Sequence, residues 1–156
     1  AGTIHDLGKI FIPGEILSNP RPLSEYELQF IRFHPQAGYE ILKSVKFPWP
    51  IADIVHQHHE RLDGSGYPRR LKGDQILVEA RILCVADVLE AMSSHRPYRP
   101  ALGMDVALAE IMRKKGTAFD TGVVDACMKL FTDNQFSIEK IFEHARSERN
   151  GADEIY

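Results

Sequence analysis

Strand signals are scarce in this sequence, while helix starts and stops recur along it, so its core must come from helices packed on one another. Ser24 followed three residues later by Glu27 is a capping-box pattern and predicts a helix over "SEYELQFIRF". Pro35 suits a first helical turn and restarts a helix in "PQAGYEILKSV", where Ile41, Leu42 and Val45 share a face. "WPIADIVHQHHERL" predicts another, with Pro50 near its start and Ile51, Ile54 and Val55 as apolar anchors. The glycines in residues 63–68 end it. The longest pattern is "ILVEARILCVADVLEAMSS", with Ile76, Ala80, Leu83 and Asp87 or Val88 at helical spacing. Asp105, Asp120 and Ser137 are placed to cap "VALAEIMRKK", "TGVVDACMKLF" and "IEKIFEHARSER". Residues 1–9 look like the last turns of a helix stopped by Gly8, without a cap before them, so a longer parent chain is expected. The expected fold class is all-α: a compact helical bundle with one functional loop.

Charge narrows the partners. A net charge of -3 gives no reason to expect a nucleic-acid polymer or an anionic membrane. No apolar run approaches the roughly 20 residues of a membrane span. Cys84 and Cys127 sit in apolar helical segments with no zinc-cluster spacing, so buried free thiols in a reducing compartment are expected. The expected location is cytoplasmic.

Chemistry concentrates in a few places. His5 precedes Asp6, His34 precedes Pro35, and His58 and His59 are adjacent, directly before a Gly-rich loop. Asp87 lies among Val85, Ala86, Val88 and Leu89, where a carboxylate costs several kcal/mol to bury unless something pairs with it. Each alone has an ordinary explanation: a surface dipeptide, a helix-start group, an idle imidazole, a core carboxylate bonded to an amide or an arginine. Together they form a mixed nitrogen and oxygen set that suits iron, manganese or zinc. The number of donors is enough for two ions, with a carboxylate such as Asp6 between them, an arrangement used in phosphoester hydrolysis. Glu60 after His59 is similar to a zinc-protease helix, but that pattern needs a second His where Asp63 stands. His56, on another helical face, is expected to be a surface or outer residue, and His95 and His144 lack partners in sequence.

The segments "HDLGKIFIPGEIL", "FHPQAGYEIL", "HHERLDGSGYP", "ARILCVADVLEAMSSHRPYRP" and "GTAFDTGVVDAC" occur in order. In them the chain resembles the HD-GYP subgroup of the HD-domain phosphohydrolases, from about residue 3 to residue 130. The resemblance implies an all-α domain over residues 1–149, incomplete at its N-terminus, with a frayed tail over residues 150–156. It implies hydrolysis of the bacterial second messenger cyclic di-GMP to the linear dinucleotide or GMP, by attack of a metal-bridging hydroxide. Two or three divalent transition-metal ions, iron or manganese first, would be held by His5, Asp6, His34, His58, His59 and Asp87, with Asp6 shared. Asp6 and Lys9 would be catalytic, Lys9 by setting its ammonium against the scissile phosphate. Arg96 and Arg99 would hold phosphates or guanine edges, for which a guanidinium fork is suited. Tyr67 would line the substrate cleft, and Gly64, Gly66 and Pro68 would shape its loop.

Two departures from the family pattern stand out. Ligands that the family carries upstream of the His-Asp pair do not occur in this chain, and Glu90 stands where Asp is commoner. The family also suggests partners: a sensory or receiver domain on the N-terminal side, and GGDEF-domain proteins at the GYP loop. The alternatives are an HD phosphohydrolase for another nucleotide and a non-catalytic module that binds a dinucleotide or a protein. The complete ligand set with Lys9 favours the enzyme.

Overall fold

The structure, a computed structural model, describes residues 1–95 and 99–133. Among these residues every regular element is helical and no β-strand forms; Lys115 and Phe119 make an isolated bridge. The helices are α1 (Gly14–Leu17), α2 (Glu25–Arg32), α3 (His34–Leu42), α4 (Ile51–Gln57), α5 (Val78–Ser93), α6 (Met104–Arg113) and α7 (Thr121–Thr132). The chain divides into one unit, Ala1–Val124, and a second that begins at Asp125. The site lies wholly in the first. Of the second, the described part is the remainder of α7 and Asp133, with Cys127 half-buried rather than buried. The helix expected after Ser137, and His144, lie outside the described residues.

Local chemistry explains most of these boundaries. Ser24 and Glu27 form the reciprocal capping box at the start of α2, and Asp120 Oδ1 accepts from Val123 N at α7. At α6 the cap is Gly103, with φ at 90°, and Asp105 lies in the first turn. The start of α5 is tied to α4, since Gln57 Oε1 accepts the otherwise unpaired N–H of Leu77 at 2.8 Å. Ile54, Ile76 and Ala80 form the buried core between those helices, with Leu62, Leu71 and Leu83 packed around it.

Two expectations are corrected. Residues 1–9 are not the end of an α-helix but two 3-10 segments, Gly2–Ile4 and Leu7–Phe11, separated by His5 and Asp6. α4 does not run through His58 and His59, because it stops at Gln57. Both corrections serve one purpose, which is to free the histidines from a helical ladder. The 7–11 segment lies directly on α3: a Cβ on Gly8 would stand 2.0 Å from the carbonyl oxygen of His34 and 2.6 Å from the nitrogen of Gly38. Only glycine permits that approach, which brings Asp6 and Lys9 beside His34.

Candidate metal centre

Three imidazoles are mounted in the same way, each just after a helical segment. His5 Nδ1 meets the carbonyl oxygen of Gly2 at 2.5 Å, His34 Nδ1 that of Ile31 at 2.6 Å, and His58 Nδ1 that of Val55 at 2.5 Å. Each carbonyl is three residues back, at the end of a helical run where the ladder leaves acceptors unpaired. A carbonyl oxygen only accepts, so Nδ1 carries the proton and Nε2 keeps its lone pair. Those lone pairs turn toward a common space. His34 Nε2 and His58 Nε2 stand 3.2 Å apart, and both rings are almost fully buried. The ring of His59 lies 4.1 Å from that of His58 and 5.0 Å from that of His34.

The carboxylates span these rings. Asp6 Oδ1 lies 3.3 Å from His34 Nε2, while Oδ2 lies 3.5 Å from His5 Nε2 and accepts from Lys9 Nζ at 2.6 Å. Asp87 reaches His5 Nε2 with Oδ1 at 3.6 Å and His59 Nδ1 with Oδ2 at 3.7 Å. Asp87 is thus paired with histidines rather than with an arginine. Ligand atoms of His34, His58 and His59 all lie within 4.8 Å of one another, as do those of His5, Asp6 and His58. Two facing imidazole lone pairs with carboxylates beside them repel unless a cation lies among them. The donor set therefore fits divalent metal, and the backbone acceptors behind the rings are the orienting partners such ligands use.

The loop after His59 is held from beneath by Glu60, a fully buried carboxylate that accepts from Arg69 N at 2.7 Å and Leu71 N at 2.9 Å. Gly66 is buried where a Cβ would stand 2.5 Å from backbone atoms of His59, Glu60 and Arg61, so no larger residue fits. Gly64 turns the loop at φ 81°, and Pro68 follows a cis peptide bond. Tyr67 stacks on His59 at 4.7 Å. A cleft of about 250 Å³ is lined by Lys9, His34, His59, Tyr67, Asp87 and Arg99, among others. Arg99 there donates to the carbonyl oxygen of Ala91 at 2.5 Å. Arg96 lies outside the described residues.

Residues 1–123 match the HD domain. This chain belongs to the HD-domain family. It is 46% identical over 131 residues to the cyclic di-GMP phosphodiesterase response regulator RpfG of Xanthomonas campestris, covering 83% of this chain and 35% of that protein. It is 38% identical over 120 residues to the 3'3'-cGAMP-specific phosphodiesterase 3 of Vibrio cholerae, covering 77% and 26% respectively. The chain thus spans roughly a third or less of the length of these relatives. Its fold is also that of an HDG"Y"P protein from Bdellovibrio bacteriovorus, with a TM-score of 0.62 at 20% identity, covering 78% of this chain and 39% of that one. No helix among the described residues is long and apolar enough to cross a membrane.

Several features of this HD domain were not legible as functional in the sequence. Glu60 reads only as a failed protease motif, whereas it clamps the loop. Arg32 and Arg70 were not singled out in the sequence, yet both line a second cleft beside Tyr67. His56 is not at the surface: it is buried, stacked on Tyr39 at 4.6 Å and bonded to Gln36 Oε1 at 2.8 Å, away from the HD-domain site. His95 is exposed, and its Nδ1 accepts from Ala101 N at 3.4 Å.

Burial pushes the His34 imidazole below its usual range, that of His58 down to about 4 and that of His59 to about 2, the charge of His58 adding to the last. These rings are neutral at pH 7, as metal ligation requires. Burial raises the Asp87 carboxyl, but the His5 hydrogen bond and the neighbouring imidazoles outweigh it and hold the group at about 2. The Asp87 hydrogen bond, against burial, raises His5. The signs give a pH prediction for the chelator-treated HD domain. A depressed histidine binds more protons unfolded than folded, so its stabilisation is present above pH 6.5 and is lost as pH falls toward 4. His5 acts in the opposite sense and alone does not offset His34, His58 and His59. At about 1.4 kcal/mol per pKa unit, a loss of a few kcal/mol is expected. Urea midpoints at pH 7.5 and pH 5 measure it; an equal or higher midpoint at pH 5 contradicts it.

Proposed function

We propose that this chain is the catalytic domain of a metal-dependent phosphodiesterase that opens a cyclic dinucleotide, with cyclic di-GMP as the expected substrate. One observation carries the reading: imidazole lone pairs and two bridging carboxylates converge at a cleft that also holds Lys9 and Arg99. The relatives named as phosphodiesterases of cyclic di-GMP and of 3'3'-cGAMP supply the substrate class. His34, His58 and His59 would hold one ion, and His5, on the other side of Asp6, would help to hold a second. Asp6 would face both, and Asp87 would bind or orient from the His5 and His59 side. Bound ions of this kind, iron or manganese first, acidify a water and offset charge on the attacking and leaving oxygens of a phosphodiester.

The chain's own groups do the rest. Lys9 Nζ, held by Asp6 at the cleft wall, stabilises charge developing on the phosphoryl oxygens. Arg99 presents its remaining guanidinium N–H groups to a phosphate or a guanine edge. Tyr67, with its phenol pushed well above its usual range by burial, remains neutral and closes the cleft over His59. The products are the linear dinucleotide, GMP, or both.

The test is metal content and turnover on one anaerobically handled sample, with cyclic di-GMP and 3'3'-cGAMP assayed side by side. Two or more equivalents of iron or manganese with linear product from cyclic di-GMP are expected. Bound metal with no hydrolysis of either dinucleotide would sink the phosphodiesterase reading. Preference for 3'3'-cGAMP would revise only the substrate.

A further inference from the structure

A second cleft, of about 740 Å³, lies between the last turn of α2 and the loop over residues 64–70. It meets the metal-side cleft at His59 and Tyr67, which line both. The metal-side space, at about 250 Å³, is below the range of roughly 300–1,000 Å³ that encloses a small-molecule ligand, whereas the second is within it. A cyclic dinucleotide carries two phosphodiesters on opposite sides of one ring, and one is cut at a time. With one at the metals, the other needs a seat of its own, and the second cleft adjoins the metal side at His59 and Tyr67.

The second cleft has the chemistry for it. Its lining contains no acidic side chain and three arginines. One of these, Arg61, is committed elsewhere: its guanidinium donates to the Glu60 carbonyl oxygen, contacts Cys84 Sγ and lies over Phe119. Arg32 and Arg70 are exposed, and among the described residues neither makes an ion pair with a carboxylate. Arg32 lies over the Tyr67 ring at 6.0 Å, a cation–π distance, which sets its guanidinium at the junction of the two clefts.

Arg70 is the more telling residue. Its φ is 54°, in the left-handed region where glycine costs least. It is held there because the buried Glu60 carboxylate accepts the N–H groups on either side of it, from Arg69 and Leu71. A position whose backbone favours glycine carries a long cation instead, and that cation lines the cleft.

We propose that this cleft seats the phosphodiester that is not being cut, with Arg32 and Arg70 as its binding residues. The assignment rests on the phosphodiesterase reading. The test compares the metal-loaded parent with Arg32→Ala, Arg70→Gly and the double variant. Glycine suits the left-handed backbone at residue 70, and Arg32 is exposed, so both variants are expected to fold. Substrates are cyclic di-GMP and bis(4-nitrophenyl) phosphate, which has no second phosphate. Each substitution is expected to raise KM for cyclic di-GMP about tenfold with a smaller change in kcat, and to lower the preference for it over bis(4-nitrophenyl) phosphate by about the same factor. Equal losses on both substrates, or no loss on either, overturn the proposal.

A binding arm separates the two readings. Equilibrium dialysis of radiolabelled cyclic di-GMP against the EDTA-stripped chain should show retention by the parent that weakens in both variants. Retention with that loss, but no hydrolysis by the metal-loaded parent, would leave the cleft standing and remove the phosphodiesterase. Hydrolysis with equal retention by parent and variants, or no retention by the stripped parent, overturns the cleft.

Discussion

Asp6→Ala is expected to abolish hydrolysis and to strip metal from the protein. Its two carboxylate oxygens face different histidines, His34 and His5, so one truncation removes a donor from both sides of the cluster. It also leaves the Lys9 ammonium without the partner that holds it at the cleft wall. A metal's stabilisation of transition-state charge is worth several kcal/mol, and at about 1.4 kcal/mol per factor of ten the loss in kcat is about a thousandfold or more. Metal analysis and dinucleotide turnover on the same preparation check it. Asp6→Asn should fall nearly as far, because the amide keeps one acceptor but loses the charge and turns a donor toward His5 or His34. Turnover within tenfold of the parent in Asp6→Ala would remove Asp6 from the centre.

The second large effect is expected at a residue that supplies no ligand atom itself. Gly8→Ala places a methyl group 2.0 Å from the His34 carbonyl oxygen and 2.6 Å from the Gly38 nitrogen, both backbone atoms of α3 that cannot rotate aside. The 7–11 segment must lift from α3, at a cost of about 3 kcal/mol on the overpacking scale. That movement carries Asp6 and Lys9 away from His34. Lower thermal stability and reduced metal occupancy are therefore expected together. Gly2→Ala, where a Cβ meets nothing within 4 Å, is the control and should behave like the parent in both measurements. A fully stable, fully metallated Gly8→Ala protein would mean that close approach is not what sets the His-Asp pair on α3.

Much of the helical plan was legible along the chain because its causes are local. The capping box at Ser24 and Glu27, Pro35 in a first turn and Asp120 at the start of α7 act within three or four residues of themselves. The all-α class followed from those signals and from the scarcity of strand patterns. The site's members were legible as residue types: His5, Asp6, His34, His58, His59 and Asp87 are those that the structure brings together. Helix ends at the site were not legible. Periodicity carries α4 through His58, but the imidazole takes the Val55 carbonyl and the helix stops at Gln57. The same side-chain-to-carbonyl contact is made by His5 to Gly2, where the expected helix over residues 1–9 is two short 3-10 segments.

By itself, then, the sequence determined the helical class, most of the caps and which residue types gather, since each depends on neighbours a few positions apart. Only the tertiary structure decided which nitrogen of each ring faces inward, that Asp6 and Asp87 each span two histidines, and that Glu60 holds Arg70 in a left-handed turn. Those facts depend on groups distant along the chain, such as Asp87 and His5, or Arg32 and Tyr67. The physical reason is that a lone pair or a guanidinium acquires its direction from what packs behind it. What packs behind it is set by the fold, through contacts such as the one between Gly8 and α3.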